Sequence, residues 1–317
     1  MKREPIRLLD YFFVLRPLLL VPVWAFVIFG YNAGQADHLG VTLLSNIRVL
    51  PYENNFTILL FLYGLLFGGI YILNQLADYE TDKRSPVIWL IASGKFPKLT
   101  AAVEMIILFI VSLTASFVFF PASLIFFFTL LLGIIYCIPP TRFSGRPVFD
   151  FLTNALAYGG AAFALGWTFA GGELDVNLVK SAAPYFLLMA AGSLNSTITD
   201  RKDDEATGKI TSAVLWGERR TIIISTIFLI ASINLALIFH DIVCLSAGLI
   251  SFPFFIRAVV KGRREDYLRT YHIAGPAIMV IAGIIYPLLF ALILPIYLLS
   301  RWYYPARMGV NYPKAGR

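Results

Sequence analysis

Long apolar stretches separated by short polar connections run along the whole chain. A helix that crosses a lipid bilayer needs about 20 predominantly apolar residues. The pattern predicts nine such helices, at residues 11–31, 56–76, 100–120, 122–139, 148–170, 180–199, 221–240, 242–260 and 272–299. No connection is long enough to hold a soluble domain. We therefore expect an all-α membrane protein, with residues 1–317 forming a single integral-membrane domain.

The composition agrees with this pattern and excludes several classes of protein. Hydrophobic residues make up 58% of the 317 residues and charged residues only 14%, whereas soluble domains contain about 45–50% and about 25%. A soluble globular enzyme, a disordered chain and a nucleic-acid-binding domain are therefore excluded, despite the net charge of +7. Cys137 and Cys244 are isolated in apolar stretches, so neither a disulfide framework nor a cysteine metal site is indicated.

The basic residues are distributed unevenly between the two faces that nine spans would create. Twenty Lys and Arg residues border the connections on the side of the N-terminus, and six border the opposite side. Loops in the cytoplasm carry the excess of Lys and Arg. The count predicts a cytoplasmic N-terminus and, with an odd number of spans, a C-terminus on the opposite side.

Two connections on the basic side are also rich in acid. They contain seven of the nineteen acidic residues, at Asp78, Glu80, Asp82, Asp200, Asp203, Asp204 and Glu205. Residues four apart share one face of a helix, so Asn74, Asp78 and Asp82 are expected to align, and Asp200 and Asp204 likewise. Four predicted spans separate one run from the next. This spacing predicts two four-helix repeats plus a ninth helix.

Aligned carboxylates suggest a metal site. Like charges four residues apart destabilise a helix and raise each other's pKa, and a divalent cation removes both effects. Mg²⁺ prefers oxygen ligands and often shares them with a phosphate. Two facing runs could hold two ions with a diphosphate between them, above a cavity for a lipid tail. Either run alone is equally well explained as a solvated acidic loop, but their matched spacing and common side favour the metal site.

Four motifs carry a family resemblance. They are Asn74-Gln75-Leu-Ala-Asp78-Tyr-Glu-Thr-Asp82, then Asp200 and Asp204 followed by Gly208, Lys209 and Thr211, then Tyr136-Cys-Ile-Pro139-Pro140-Thr-Arg142, and Arg16-Pro17. With these motifs the chain resembles the UbiA superfamily of intramembrane prenyltransferases over nearly its whole length. Gln75 departs from the pattern, since an Asp is usual at that position.

The resemblance implies a Mg²⁺-dependent transfer of a prenyl group from a prenyl diphosphate to an acceptor. It implies five metal ligands, namely Asn74, Asp78, Asp82, Asp200 and Asp204, of which the four aspartates are the catalytic residues. It also suggests diphosphate contacts at Arg16, Lys83, Tyr136, Arg142 and Lys209. The positive-inside rule explains Lys83, Arg142 and Lys209 equally well. The acceptor stays open between an aromatic or quinone precursor and another lipid-pathway molecule, and the oligomeric state is unknown.

Two other classes of membrane protein compete with this hypothesis. A nine-span cation or metabolite transporter would keep its binding acids near the middle of the bilayer, whereas the clustered acids here lie at the ends of spans. A CDP-alcohol phosphotransferase would also use Mg²⁺, but its D-G-x-x-A-R signature is absent from the sequence. A membrane-embedded prenyltransferase that contacts lipid and no nucleic acid is favoured.

Overall fold

The structure is a computed structural model that describes residues 5–38, 49–83 and 90–312, and it contains helices but no strand within these ranges. In chain order the α-helices are α1 (Leu8–Phe13), α2 (Pro17–His38), α3 (Asn54–Ala77), α4 (Tyr79–Asp82), α5 (Lys98–Ser116), α6 (Ser123–Cys137), α7 (Phe149–Ala155), α8 (Phe163–Phe169), α9 (Val176–Ala206), α10 (Ser212–Trp216), α11 (Glu218–Ile238), α12 (Ile242–Lys261), α13 (Arg264–Ile285) and α14 (Leu288–Met308). A π-helical segment, Leu156–Ala162, joins α7 to α8.

Seven of the described helices are long and apolar enough to cross a membrane: α2, α3, α5, α11, α12, α13 and α14. Helix α6 is apolar but has only 15 residues, and the stretch from α7 to α8 is interrupted by its π-helical segment. The prediction of an all-α integral membrane protein is therefore confirmed. The count of nine spans is not confirmed, and the predicted duplication stays a prediction.

The last predicted span, 272–299, is wrong because the chain breaks inside it. Helix α13 ends at Ile285, Tyr286 is extended with φ −130° and ψ 88°, and α14 begins after Pro287. A residue that precedes proline is driven away from helical geometry, which explains the break at Tyr286. Two antiparallel helices therefore replace the single predicted one.

This extra reversal brings the two ends of the described chain to the same face. Near the end of α14, Arg307 donates from Nη2 to Oδ2 of Asp10 in α1 at 2.8 Å, and both side chains are buried. Tyr303, one turn earlier, also donates to Asp10. These contacts place the end of α14 beside α1, so the predicted C-terminus on the face opposite the N-terminus is not supported.

Helices α2 and α8 form a close contact at the centre of the bundle. A Cβ atom at Gly30 would lie 1.8 Å from the carbonyl oxygen of Phe163, and one at Gly166 would lie 1.9 Å from that of Val27. Only glycine permits the two backbones to approach this closely. Helix α2 is the most buried of the seven long apolar helices and α5 the least, so α5 presents most of its surface to lipid.

Candidate active site

The first acidic cluster, defined as Asn74, Asp78 and Asp82, lies on a bend rather than on one straight helix. Helix α3 ends at Ala77, and Asp78 has φ −94° and ψ 12°. The i to i−4 backbone bonds nevertheless continue, from Asp78 N to Asn74 O at 2.9 Å and from Asp82 N to Asp78 O at 2.8 Å. The Asn74 side chain donates to Asp78 Oδ2 at 3.3 Å. The predicted alignment is therefore kept while the helix changes direction.

Asp78 is the point at which distant parts of the chain meet. Arg142 Nη2 lies 2.6 Å from its Oδ1, and Lys209 Nζ lies 3.0 Å from its Oδ2. Arg142 comes from the connection between α6 and α7, and Lys209 follows α9. Charge-assisted bonds of this length are the strong ones. Asp78 is only 8% exposed, and the Lys209 side chain is also largely buried, whereas that of Arg142 is 36% exposed.

The second acidic cluster, Asp200 and Asp204, lies on unbroken helix. Helix α9 continues to Ala206, which confirms the expected i, i+4 alignment. Hydroxyl groups donate to both carboxylates, from Thr199 to Asp200 at 3.3 Å and from Thr211 to Asp204 at 3.1 Å. Lys209, which follows in the next turn, donates its backbone N–H to Asp204 O at 2.9 Å and its side chain to the first cluster. The two clusters therefore lie at the same end of the bundle.

Burial raises the pKa values of carboxylates in both clusters, which lie beyond the predicted spans. It raises the pKa of Asp204 to about 6, with a further increase from Asp200 and an opposing effect of Lys209. Burial also raises the pKa of Asp82, against the lowering effect of the Arg16 guanidinium. Buried carboxylates with raised pKa values have too little positive charge around them, and a bound cation would supply it.

The two arginines of the site share an unusual backbone conformation. Arg16 has φ +52° and Arg142 has φ +35°, in the left-handed region that residues other than glycine rarely adopt. Arg16 Nη2 lies 4.0 Å from Asp82 Oδ2, and Arg142 pairs with Asp78. Left-handed backbone costs roughly 1–2 kcal/mol per residue and persists where the surroundings fix it. Both guanidinium groups are thus directed to the acids at the expense of local backbone strain.

A cavity of about 190 Å³ lies beside the first acidic cluster. Its polar lining includes Arg16, Asn74 and Tyr136, and its apolar lining includes Phe67 and Ile70. The lining residues come from α3, α6 and α7, from the start of α2 and from the π-helical segment, and none comes from α9. The cavity therefore joins a charged mouth to an apolar interior.

The π-helical segment supplies one wall of this cavity. Tyr158 of the segment and Tyr71 of α3 share a hydrogen bond of 2.6 Å between their hydroxyl oxygens. Because Tyr71 donates its own hydrogen to Leu19 O at 2.9 Å, Tyr158 is the donor to Tyr71. Such π-helical interruptions are frequent at functional sites. Here the interruption links the wall of the cavity to α2 and α3.

Comparison with known proteins identifies the family of this chain. Residues 39–270 match the UbiA prenyltransferase family. The chain belongs to this family. The predicted family and the prediction of a prenyltransferase are therefore confirmed. A comparison with curated protein sequences gave no match.

Solved UbiA homologues share the fold. A homologue from Archaeoglobus fulgidus bound to DMAPP and Mg²⁺ has a TM-score of 0.68 at 17% identity, covering 90% of this chain and 99% of that one. The same homologue bound to GPP and Mg²⁺ has a TM-score of 0.64 at 18% identity, with the same coverage. A homologue from Aeropyrum pernix K1 has a TM-score of 0.59 at 13% identity, covering 88% of this chain and 98% of that one.

The structure brings most of the predicted UbiA site residues together. Arg16, Arg142 and Lys209 contact the first acidic cluster, and Tyr136 lines the cavity, where Asn154 Nδ2 donates to its hydroxyl at 3.3 Å. Lys83 is the exception. Its Nζ lies 4.2 Å from the centre of the Tyr79 ring and 3.5 Å from Glu80 Oε1. The exposed Lys83 is thus held by its own turn, and the structure gives no support to a diphosphate contact there.

The departure at Gln75 has a structural explanation. Its side chain is 2% exposed, and its Nε2 donates to Val14 O at 2.8 Å and to Tyr71 O at 3.0 Å. The amide group therefore ties α3 to the connection between α1 and α2. An aspartate could not donate these bonds. Gln75 in this UbiA protein is a packing residue, and its presence removes no ligand from the first cluster.

Sequence reasoning missed one buried acid close to the site. Asp150, near the start of α7, is 3% exposed and accepts hydrogen bonds from Ser212 N and Oγ, both at 2.6 Å. Ser212 comes directly after the motif that contains Lys209 and Thr211. An acid at the edge of a predicted span is unusual enough to indicate function, and this signal could have identified Asp150.

The acids suit Mg²⁺ that is shared with a phosphate group. Among the described residues, no group of three or more His, Cys, Asp or Glu side chains is placed to hold a metal by itself. Mg²⁺ typically takes one or two protein carboxylates and completes its shell with water and phosphate oxygens. The first cluster offers two carboxylates and an amide oxygen, and the second offers two carboxylates. The donor set therefore suits Mg²⁺ that completes its shell with other oxygen ligands.

Proposed function

We propose that this UbiA-family protein transfers a prenyl group from a prenyl diphosphate to an acceptor, with Mg²⁺ as cofactor. The observation that carries the proposal is the ion pair between Asp78 and Lys209. It joins two acidic clusters whose first aspartates, Asp78 and Asp200, are 122 residues apart in the sequence, next to a cavity with an apolar interior. Such a site suits a ligand with a doubly phosphorylated head and a hydrocarbon tail.

Some side chains of the site would bind the head group, and others would shield the tail. Asn74, Asp78 and Asp82 would hold one Mg²⁺, and Asp200 and Asp204 the other. When bound, Mg²⁺ neutralises charge on the departing diphosphate. Arg16, Arg142 and Lys209, which pair with carboxylates here, would turn to the diphosphate oxygens and stabilise the same charge.

The proposed reaction breaks the bond between the first prenyl carbon and the diphosphate oxygen. The electron pair leaves with the diphosphate, which leaves a carbocation in the apolar cavity, where Phe67 and Ile70 exclude water. The acceptor then forms a bond to the same carbon and loses a proton. Solved relatives support the donor class, since the Archaeoglobus fulgidus homologue was solved with GPP or DMAPP. The acceptor is either an aromatic or quinone precursor or another lipid-pathway molecule.

We also propose that the site faces the cytoplasm, together with both ends of the described chain. The return of α14 moves Arg301 and Arg307 to the acidic face. Lys314 and Arg317 lie outside the described residues, and without them the count of basic residues changes from twenty against four to twenty-two against two. A larger excess on one side favours a cytoplasmic location of that side. Cysteine labelling from either side of sealed vesicles tests this orientation.

The test of the function uses purified protein in detergent. Geranyl diphosphate and dimethylallyl diphosphate are each incubated with a panel of aromatic and lipid acceptors, and products are identified by mass spectrometry. We expect diphosphate release that requires an acceptor and stops when EDTA removes Mg²⁺. Protein in liposomes that takes up Mg²⁺ or metabolites, with no diphosphate release under any condition, would instead favour the transporter.

A further inference from the structure

We propose that Asp150 is a positioning residue for the second half of the site, an inference that rests on the proposed function. Asp150 contributes no atom to the lining of the cavity. Its carboxylate is 3% exposed and accepts three hydrogen bonds, from Ser212 N, Ser212 Oγ and Phe151 N at 2.9 Å. A buried carboxylate is tolerated when its oxygens are satisfied in this way. The hydrogen-bond partners of Asp150 show which part of the chain it positions.

The main partner is the start of the short helix α10. Ser212 Oγ donates to Asp150 and in turn accepts from Val148 N at 2.8 Å. Val148 has φ +73°, which is a genuine outlier for a β-branched residue. Three hydrogen bonds therefore join the two chain segments, 148–151 and 212. Strain at Val148 persists because these bonds over-determine its geometry.

The segment fastened at Ser212 is the one that carries the working side chains of the second motif. Thr211 donates to Asp204, and Lys209 reaches Asp78. The chain reverses at Gly208, which has φ +75°, so the turn between α9 and α10 is anchored at one end by α9. Asp150 anchors the other end through Ser212. Through this anchor, α7 helps to fix where the ammonium group of Lys209 lies.

The segment before α7 adds a second contact to the same turn. A Cβ atom at Gly145 would lie 3.7 Å from Lys209 Cγ, so the aliphatic stem of Lys209 passes beside Gly145. Arg142, three residues earlier, contacts the same Asp78 carboxylate as Lys209. The segment 142–151 therefore supplies Arg142 directly and positions Lys209 indirectly. One segment therefore contributes to the positions of both cationic side chains that contact Asp78.

A merely structural role would give Asp150 the same burial and the same hydrogen bonds, and Asp241 provides the matched control. Asp241 is also 3% exposed and caps α12 by accepting from Cys244 N at 3.0 Å and from Tyr185 at 3.1 Å. It lies at the end of the bundle remote from the acidic clusters. Asp241→Asn therefore removes an equally buried charge without touching the site.

The experiment compares thermal unfolding of purified variants in detergent, with and without MgCl₂ plus inorganic diphosphate. A ligand that binds the folded state raises the melting temperature, and we expect this rise in the wild type. Asp150→Asn should lose more than half of the rise, whereas Asp241→Asn should melt earlier but keep the full rise. In turnover assays, Asp150→Asn should raise the donor KM about tenfold with a smaller change in kcat.

Ser212→Ala is the second variant, for the case in which Asp150→Asn fails to fold. It removes the hydroxyl link to Asp150 and Val148 but keeps the backbone bond, and it should lose part of the rise in melting temperature. If folded Asp150→Asn or Ser212→Ala keeps the full rise, Asp150 is structural only and the inference is overturned. If the wild type shows no rise, the proposed function itself fails and the inference falls with it.

Discussion

The two acidic clusters have the same i, i+4 spacing but are built differently. Asp78 and Asp82 lie at a bend after α3 and contact basic side chains from three other segments. Asp200 and Asp204 lie on unbroken α9 and accept from hydroxyl groups of nearby residues. The cavity borders the first cluster and receives no side chain from α9. The first cluster thus combines acid, paired cations and cavity, while the second combines acid with hydroxyl donors.

This difference assigns unequal importance to the two clusters. The first cluster already gathers the cations that a diphosphate needs, so damage to it should remove metal binding and charge stabilisation together. The second cluster should contribute metal ligands only.

Asp78→Asn should have the largest effect. Loss of its charge releases Arg142 and Lys209 and removes a proposed metal ligand, so we expect turnover to fall by roughly 10³-fold, as when a main electrostatic stabiliser is removed. Diphosphate release at saturating Mg²⁺ measures the effect. Glu80→Gln is the matched control, because Glu80 belongs to the same turn but its side chain is 76% exposed. Equal activity of the two variants would contradict the role given to the first cluster.

Lys209→Met should have the next largest effect, about 10²-fold in kcat/KM, because it removes the ammonium group that joins the segment after α9 to Asp78. Lys83→Met is the control, since Lys83 is held by Tyr79 and Glu80. Steady-state kinetics with a prenyl diphosphate as donor checks both. A larger loss in Lys83→Met than in Lys209→Met would reverse the assignment made from the structure.

Thr211→Val tests the second cluster in a milder way. The change removes the hydrogen bond to Asp204 and preserves the shape of the side chain, and such a bond to a charged group contributes about 1.5–3 kcal/mol. Since a water molecule can replace part of this hydrogen-bond energy in the variant, we expect the Mg²⁺ concentration at half-maximal rate to be roughly tenfold higher. Thr207→Val is the control, because Thr207 in the same turn donates only to backbone carbonyls of α9. An unchanged Mg²⁺ requirement in Thr211→Val would show that Asp204 needs no such support.

Much of this site was predictable because its parts are encoded locally. Helical spacing aligned Asp200 and Asp204, and the basic count placed both clusters on one face. Arg16, Arg142 and Lys209 were expected from the motifs and do contact the acids. These features need only the geometry of a helix and a count of crossings.

The failures involve contacts between distant residues or weak local signals. Asp150 accepts a hydrogen bond from Ser212, 62 residues later in the chain. No periodic pattern in the sequence indicates such a contact. The break before Pro287 was missed because proline alone does not end these helices: Pro22, Pro184 and Pro253 lie inside α2, α9 and α12. The bend at Asp78 keeps the backbone bonds of a helix, so its residue spacing is that of a straight one.

Gly133→Ala should have the smallest effect and should separate the cavity from both clusters. A Cβ atom at Gly133 would lie 2.8 Å from Cγ1 of Ile70, and both residues line the cavity. The Ile70 side chain must therefore move, and overpacking of this kind costs about 1–3 kcal/mol. We expect the KM for the prenyl diphosphate to rise by roughly five- to tenfold, with no change in the affinity for inorganic diphosphate. Gly192→Ala on α9 is the control, because its Cβ would meet no atom within 4 Å.

The two affinities in Gly133→Ala decide where the hydrocarbon tail binds. Inorganic diphosphate carries the head group without the tail, so it reports on the clusters, whereas the prenyl diphosphate reports on the clusters and the cavity together. A selective loss for the prenyl compound would place the tail against Ile70, on the side of the first cluster. An equal loss for both ligands, or none for either, would mean that the tail lies elsewhere. The cavity would then no longer distinguish the first cluster from the second.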